Sequence, residues 1–176
     1  MILLVSGIPG AGKTTVARAV ASRYPRAAHL ETDRIGDDFI VTGLVPPQGP
    51  PTDEAERQLL LRRRNIASLA RNFADARFTV VIDDVVVSPS VLELYAGLLE
   101  AQDVFFVQLT PSLDVVRDRD ADRDKHVFAL WSHLHEELRR WDARPGLWLD
   151  TTHLTADETV AAIEKDLERA RLSRTP

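Results

Sequence analysis

Near the start of the chain, Gly7-Ile8-Pro9-Gly10-Ala11-Gly12-Lys13-Thr14 fits G-x-x-x-x-G-K-[ST] at every defined position. The demands of phosphate explain that spelling. Glycines let the backbone curl so that several N–H groups converge on phosphate oxygens, and the helix that follows adds its positive N-terminal end. Lys13 is placed to neutralise the β- and γ-phosphates as a point charge, and the Thr14 hydroxyl to ligate Mg²⁺. Gly7, Pro9, Gly10, Ala11, Gly12, Lys13, Thr14 and Thr15 are therefore the candidate nucleotide-binding residues. A glycine-rich turn can match such a pattern by chance. Here it follows a buried-type strand, Ile2-Leu3-Leu4-Val5, and opens a helix carrying Val16, Ala17, Val20, Ala21 and Tyr24 on one side, the context that gives the motif meaning.

Other charged residues group at places where strands should end. Asp33, in Glu31-Thr32-Asp33 after the weak strand Ala27–Leu30, is the candidate catalytic base, able to take the proton of an attacking hydroxyl. It could instead cap a short helix beginning near Ile35; the base is the favoured role. Asp83 and Asp84 follow the apolar strand Phe78–Ile82 and should face opposite ways. Asp83 is the candidate metal partner, together with Thr14, while Asp84 turns to an acceptor or a structural hydrogen bond. The plainer alternative is that both mark the solvent end of the strand.

Arg117, Arg119 and Arg123 lie in Arg-Asp-Arg-Asp-Ala-Asp-Arg, and on a helix Arg119 and Arg123 share a face. The interleaved aspartates also suit a salt-bridged surface helix. Arg62-Arg63-Arg64 could hold an acidic acceptor, although a solvated helix face is the default for such a run. His133 and His135 point apart on a helix and make a poor metal pair.

These residues need a scaffold, and the chain reads as alternating strands and helices. Val104–Leu109 and Leu147-Trp148-Leu149 are further strands. Asp53 with Glu56 suggests a capping box for a long helix with Leu59, Ile66, Leu69, Ala70 and Phe73 on its apolar side. Ser88-Pro89 and Thr110-Pro111 read as caps followed by proline at the first helical position. The first of these opens a helix with Val91, Leu92, Tyr95, Leu98 and Leu99 on one side. Val127, Leu130, Trp131, Leu134, Leu138 and Trp141 mark an amphipathic helix, and Thr155 with Glu158 caps a last one on Val160, Ile163 and Leu167. The Pro-rich stretch Val45–Pro51 is a loop expected above the active face. The alternation predicts one α/β domain over residues 1–176, with a parallel sheet and helices on both faces.

Composition narrows the function. With 176 residues, 44% apolar and 28% charged, the chain is an ordinary soluble one. Its net charge of −5 gives no general attraction for nucleic acid or an anionic membrane, so neither is an expected partner. It has no cysteine, which excludes disulfides, thiol catalysis and Cys-type zinc sites. The first apolar run is short for a signal peptide and no stretch approaches a membrane span, so a cytoplasmic location is expected. A guanine-reading Asn-Lys-x-Asp is missing, and the third strand ends in Asp-Asp where motor or AAA-type ATPases usually carry Asp-Glu. What remains is a compact small-molecule or nucleoside-type kinase.

The phosphate loop, Thr32-Asp33, Asp83-Asp84, the arginine segment near position 120 and Asp150-Thr151-Thr152 occur together and in this order. In that combination the chain resembles the chloramphenicol-phosphotransferase-like P-loop kinases over nearly its whole length. The resemblance implies a nucleoside-monophosphate-kinase-like P-loop NTPase fold, a three-layer sandwich with a five-stranded parallel sheet and a short arginine-bearing lid. It implies ATP and Mg²⁺ as cofactors and Asp33 as the base. It also implies Arg123 on the transferring phosphate, Arg119 on the base or ribose side, and Asp150 and Thr151 in the loop that passes adenine. The expected activity is transfer of the γ-phosphoryl group to a hydroxyl of a small molecule such as an antibiotic, nucleoside or sugar derivative. A zeta-toxin-like nucleotide-sugar kinase and a nucleotide-sensing switch ATPase are the alternatives. The acceptor's identity, and the choice between monomer and homodimer, stay open at this level.

Overall fold

The computed structural model describes residues 1–47, 52–121 and 133–173. Five strands, β1 (Ile2–Ser6), β2 (Ala27–Glu31), β3 (Thr79–Asp84), β4 (Val104–Leu109) and β5 (Leu147–Leu149), pair in parallel in the order β2-β3-β1-β4-β5. β1 and β4 are buried along their full lengths, which is why they read as unbroken apolar runs. The chain builds first to one side of β1 and then to the other. The strand order therefore reverses at β1, and the crevice at the carboxyl ends of the strands opens there.

Among the described residues the helices are α1 (Lys13–Ala21), α2 (Thr32–Asp37), α3 (Asp53–Asp75), α4 (Pro89–Leu98), α5 (Leu113–Ala121), α6 (His133–Arg139) and α7 (Ala156–Lys165), followed by a 3₁₀ turn at Leu167–Ala170. α1 and α7 pack on one another, and α3 packs on α4; α1 and α3 both rest on β3. This is the three-layer α/β arrangement, with one apolar cluster running from the sheet into both helical layers. Among the described residues, no helix is long and apolar enough to cross a membrane.

Several local expectations are corrected in the fold. β3 continues through Asp83 and Asp84 because they pair in register with Val5 and Ser6 of β1. The N-cap of α3 is Thr52, whose side chain accepts the Ala55 N–H at 3.1 Å, so Asp53 and Glu56 form no capping box. Thr110 does not cap α5. Its hydroxyl donates to the Leu149 carbonyl at 2.9 Å, and the helix begins two residues after Pro111, at Leu113.

On α3 the buried positions are Ala55, Gln58, Arg62, Ile66, Ala67 and Ala70, whereas Leu69 faces solvent. The capping box at Thr155 and Glu158 forms as expected. Of the amphipathic helix expected up to Trp141, residues 127, 130 and 131 lie outside the described residues. Leu134 and Leu138 are buried on α6. Trp141 lies past the helix end, where it packs on Phe106 and meets Trp148 edge-to-face at 5.6 Å.

Candidate functional site

The phosphate loop joins β1 to α1, and its shape depends on glycine. Gly10 and Gly12 have φ near +90°, and the loop is pinned by the Ala11 N–H on the Ile8 carbonyl at 3.0 Å. A Cβ at Gly10 would stand 2.8 Å from Val116 of α5, so that helix closes directly over the loop. Lys13 opens α1 and donates from Nζ toward the Ile8 carbonyl at 3.5 Å, which keeps the ammonium folded over the loop. The backbone thus forms an N–H-lined concavity at a helix N-terminus, the arrangement that accepts phosphate.

Sheet pleating separates the two aspartates. Asp83 faces α1, where its Oδ1 accepts the Thr14 hydroxyl at 3.2 Å. Its Oδ2 meets Nε2 of His29 at 2.6 Å, a partner that no motif pointed to. His29 sits on β2 opposite Val81, two positions before the Glu31–Asp83 pair, so both side chains emerge on one face of the sheet. Only the strand order could have revealed this contact.

Asp84 faces the other helical layer. It accepts from Arg63 Nε at 2.9 Å, from the Tyr95 hydroxyl at 2.9 Å and from the Val85 N–H at 2.8 Å. Burial works against the Arg63 cation, and the Asp84 carboxylate more than offsets it, leaving Arg63 with a raised pKa. The Tyr95 hydroxyl is pushed well above its ordinary value, first by burial and then by Asp84. Asp84 is a structural anchor, and the view of both aspartates as solvent-end decoration is corrected, since each is only 6% exposed.

Asp33 stands at the second position of α2, which starts at Thr32 and not near Ile35, and no side chain caps that helix. The capping role is therefore set aside. Its side chain is 77% accessible, yet the groups around it remove part of its hydration and this raises its pKa. Lys13 pulls the pKa back down, Asp84 pushes it up, and Arg62 lowers it again. Lys13 and Asp33, twenty residues apart in sequence, are thus close enough in the fold for the lysine's charge to act on the carboxylate.

The arginine run on α3 is not a solvated face. Arg62 is 3% exposed and Arg63 13%, while Arg64 alone points to solvent. Arg119, on α5, donates from Nη1 to the Ala11 carbonyl at 3.3 Å and lines a cavity of about 260 Å³ with Gly10, Gly12, Thr15 and Thr151. Thr151 is buried there, with no partner for its hydroxyl among the described residues. Asp150 turns away, accepting the Thr152 hydroxyl and, at 2.9 Å, the Thr152 N–H, a local turn that lowers its pKa. Pro9 is half-buried within the phosphate loop, Arg123 lies outside the described residues, and so do residues 48–51 of the Pro-rich loop. The start of that loop is tied to α3 by Gln58, which accepts the Val45 N–H and donates to the Gly43 carbonyl, both at 2.9 Å.

The donor set suits Mg²⁺ bound with a nucleotide. That ion keeps several waters and takes one or two protein oxygens beside phosphate, and Thr14 and Asp83 offer two adjacent oxygens at the loop. Among the described residues there is no group of three or more His, Cys, Asp or Glu placed to hold a metal.

Solved structures share this fold. A sugar kinase from Janibacter sp. is 24% identical, with 96% of this chain and 95% of that chain covered and a TM-score of 0.69. The tunicamycin resistance protein of Deinococcus radiodurans is 20% identical over 99% and 98%, with a TM-score of 0.66. Shikimate kinase from Bacteroides thetaiotaomicron is 17% identical over 96% and 98%, with a TM-score of 0.66. A comparison with curated protein sequences gave no significant match. The AAA domain model AAA_33 matches residues 2–144, most of the chain, and the protein belongs to that family.

Proposed function

We propose that the chain is an ATP- and Mg²⁺-dependent phosphotransferase that moves the γ-phosphoryl group to a hydroxyl of a small molecule. The family names a type of domain and leaves the reaction open. The observation that carries the proposal is the phosphate loop with Lys13 folded over it and Thr14 set against Asp83, with Asp33 near enough for the Lys13 charge to act on it. Lys13 is the cation for the transferring phosphate, and a carboxylate near it is placed to hold the nucleophile. The kinases among the structures of like fold support this reading, as does the resemblance to chloramphenicol-phosphotransferase-like kinases.

In this reading residues 1–176 act as one domain. The loop N–H groups and Lys13 cradle the β- and γ-phosphates, and Thr14 and Asp83 would hold the Mg²⁺, which would supply neutralisation of phosphate charge. His29 keeps the Asp83 carboxylate oriented toward Thr14. Thr151, with Thr15 and Arg119 around the adjoining cavity, takes the nucleoside end. An Asp33 oxygen accepts the proton of the acceptor hydroxyl as that oxygen bonds to the γ-phosphorus. The bond from the γ-phosphorus to the β–γ bridging oxygen breaks, and its electron pair leaves with ADP. The raised pKa of Asp33 makes it a stronger base than an ordinary carboxylate. Arg119 and Arg123 are assigned to a lid, Arg119 on the base or ribose side and Arg123 on the transferring phosphate.

The test is ADP release and product mass spectrometry with Mg·ATP, alone and with pools of sugars, nucleosides and hydroxylated antibiotics. Acceptor-dependent release, lowered about 10²- to 10⁴-fold by Asp33→Asn, is expected. Acceptor-independent hydrolysis that survives Asp33→Asn would favour a nucleotide-sensing switch instead.

A further inference from the structure

The three consecutive arginines of α3 have different fates in the fold. Arg64 is exposed. Arg63 is engaged, with Nε on Asp84 at 2.9 Å and Nη2 on the Val85 carbonyl at 3.2 Å. Arg62 is more deeply buried than either, at 3% exposure, and is the least satisfied. Its Nε has no hydrogen-bond partner among the described residues. Its ion pair there is with Asp33, Nη1 to Oδ1 at 3.8 Å, too long for a hydrogen bond.

Burying a guanidinium with its donors unspent is unfavourable, and a fold that does so holds the group for a purpose or is strained. Here the fold leaves room for the group. A Cβ at Gly36 would collide with the Arg62 guanidinium, so α2 carries glycine where that group crosses it. Beside Arg62 a cavity of about 470 Å³ opens between α2 and α3, with Ile35, Phe39 and Leu61 on its apolar side and Asn65 and Ser68 on its polar side.

We infer that Arg62 binds an anionic group, a carboxylate or phosphate, on the same molecule whose hydroxyl is offered to Asp33. The inference rests on the phosphotransferase reading and adds the acceptor's chemical class. A planar guanidinium pairs with such anions through two parallel N–H bonds, which would satisfy the donors that the protein leaves unpaired. The anion also takes up positive charge that now falls on Asp33, since Arg62 is one of the groups lowering its pKa. A neutral acceptor would leave the buried cation as it is. The apolar wall of the cavity meets the acceptor's carbon skeleton.

The test uses the full chain with a non-hydrolysable ATP analogue and Mg²⁺ filling the phosphate loop, so that added anions do not bind there. Matched pairs are titrated calorimetrically: gluconate against gluconamide, shikimate against its methyl ester, and glucose 6-phosphate against glucose. The same pairs are then offered as acceptors with Mg·ATP. The acid member of at least one pair is expected to bind about tenfold or more tightly than its neutral partner, and the pair that responds separates carboxylate from phosphate.

Arg62→Met is expected to weaken the acid by about 10- to 100-fold, the range of charge-assisted hydrogen bonds, without changing the neutral partner. Arg62→Lys, which keeps the charge and loses the fork, recovers part of the loss. If Arg62→Met does not fold, the lysine variant and the wild-type acid-to-neutral ratio still decide the matter. Neutral partners that bind as well as the acids overturn the inference, whether or not ATP is consumed. So does an Arg62→Lys or Arg62→Met loss that is equal for both members of a pair. Transfer to neutral acceptors alone would leave the phosphotransferase standing and remove the anion site. Arg62-dependent acid binding without any transfer would do the reverse.

Discussion

Replacing Asp84 by alanine separates the roles of the two neighbouring aspartates. The change takes away the acceptor of Arg63 Nε, of the Tyr95 hydroxyl and of the Val85 N–H at once. Arg63 is 13% exposed and Tyr95 fully buried, so water does not restore what is lost. Removing one partner of a buried ion pair costs about 3–5 kcal/mol. An orphaned buried hydroxyl costs about 1–3 kcal/mol taken alone, but the groups share one network and the terms do not add in full. A loss of about 4 kcal/mol is expected. For a chain of 176 residues that lowers Tm by about 8–16 °C.

Asp83→Asn should behave differently. It keeps the shape of the side chain beside Thr14 and His29 but removes the charge offered to the metal. Its fold should persist while the tightening of ATP binding by Mg²⁺ disappears. Urea unfolding followed by tryptophan fluorescence reads the first effect, and nucleotide titration with and without Mg²⁺ reads the second. An Asp84→Ala loss under about 1 kcal/mol would refute the anchor role. Equal loss of Mg²⁺ dependence in Asp83→Asn and Asp84→Asn would refute the division of labour.

The pH dependence of transfer should show an acid limb set by Asp33, with an apparent pKa above the ordinary carboxylate value because the groups around it remove part of its hydration and disfavour the charge. The same raised pKa means that the folded state holds this proton more tightly, so its contribution to stability falls as pH rises from the unfolded pKa through the folded one. Asp33→Asn should therefore be at least as stable as wild type at neutral pH, measured by thermal unfolding, while losing transfer. Thr151→Val removes a buried hydroxyl that has no partner among the described residues. The nucleotide-free protein should keep its Tm, and ATP affinity measured by calorimetry should fall about 2- to 12-fold, the worth of one neutral hydrogen bond. Gly146 has φ of +77°, and a Cβ there would strike the Phe106 carbonyl oxygen. Gly146→Ala should cost about 2–3 kcal/mol in urea unfolding by straining the entry to β5.

Much of this was legible one residue at a time. The phosphate loop is contiguous, so its function is written in one short stretch, and its glycines answer to local backbone geometry. Asp83 and Asp84 could be told apart because strand alternation is a local rule, and the Thr155–Glu158 box forms because both its partners lie within one turn. The local rules failed where another group competed, one distant and one adjacent. The Thr110 hydroxyl belongs to the Leu149 carbonyl and not to a helix N-terminus, and Thr52 displaces Asp53 as the cap of α3.

The sequence by itself determined the nucleotide loop, the alternation of strands and helices, and the aspartates that end the sheet near it. Those features depend on neighbours within a few positions, where spacing settles geometry. Tertiary structure alone decided the strand order that sets His29 against Asp83, and the burial of Arg62 and Arg63 in a run that composition marks as solvated. Burial is a property of what packs on a residue from elsewhere in the chain. For Arg62 that partner is Gly36, on another helix and without a side chain to signal the contact.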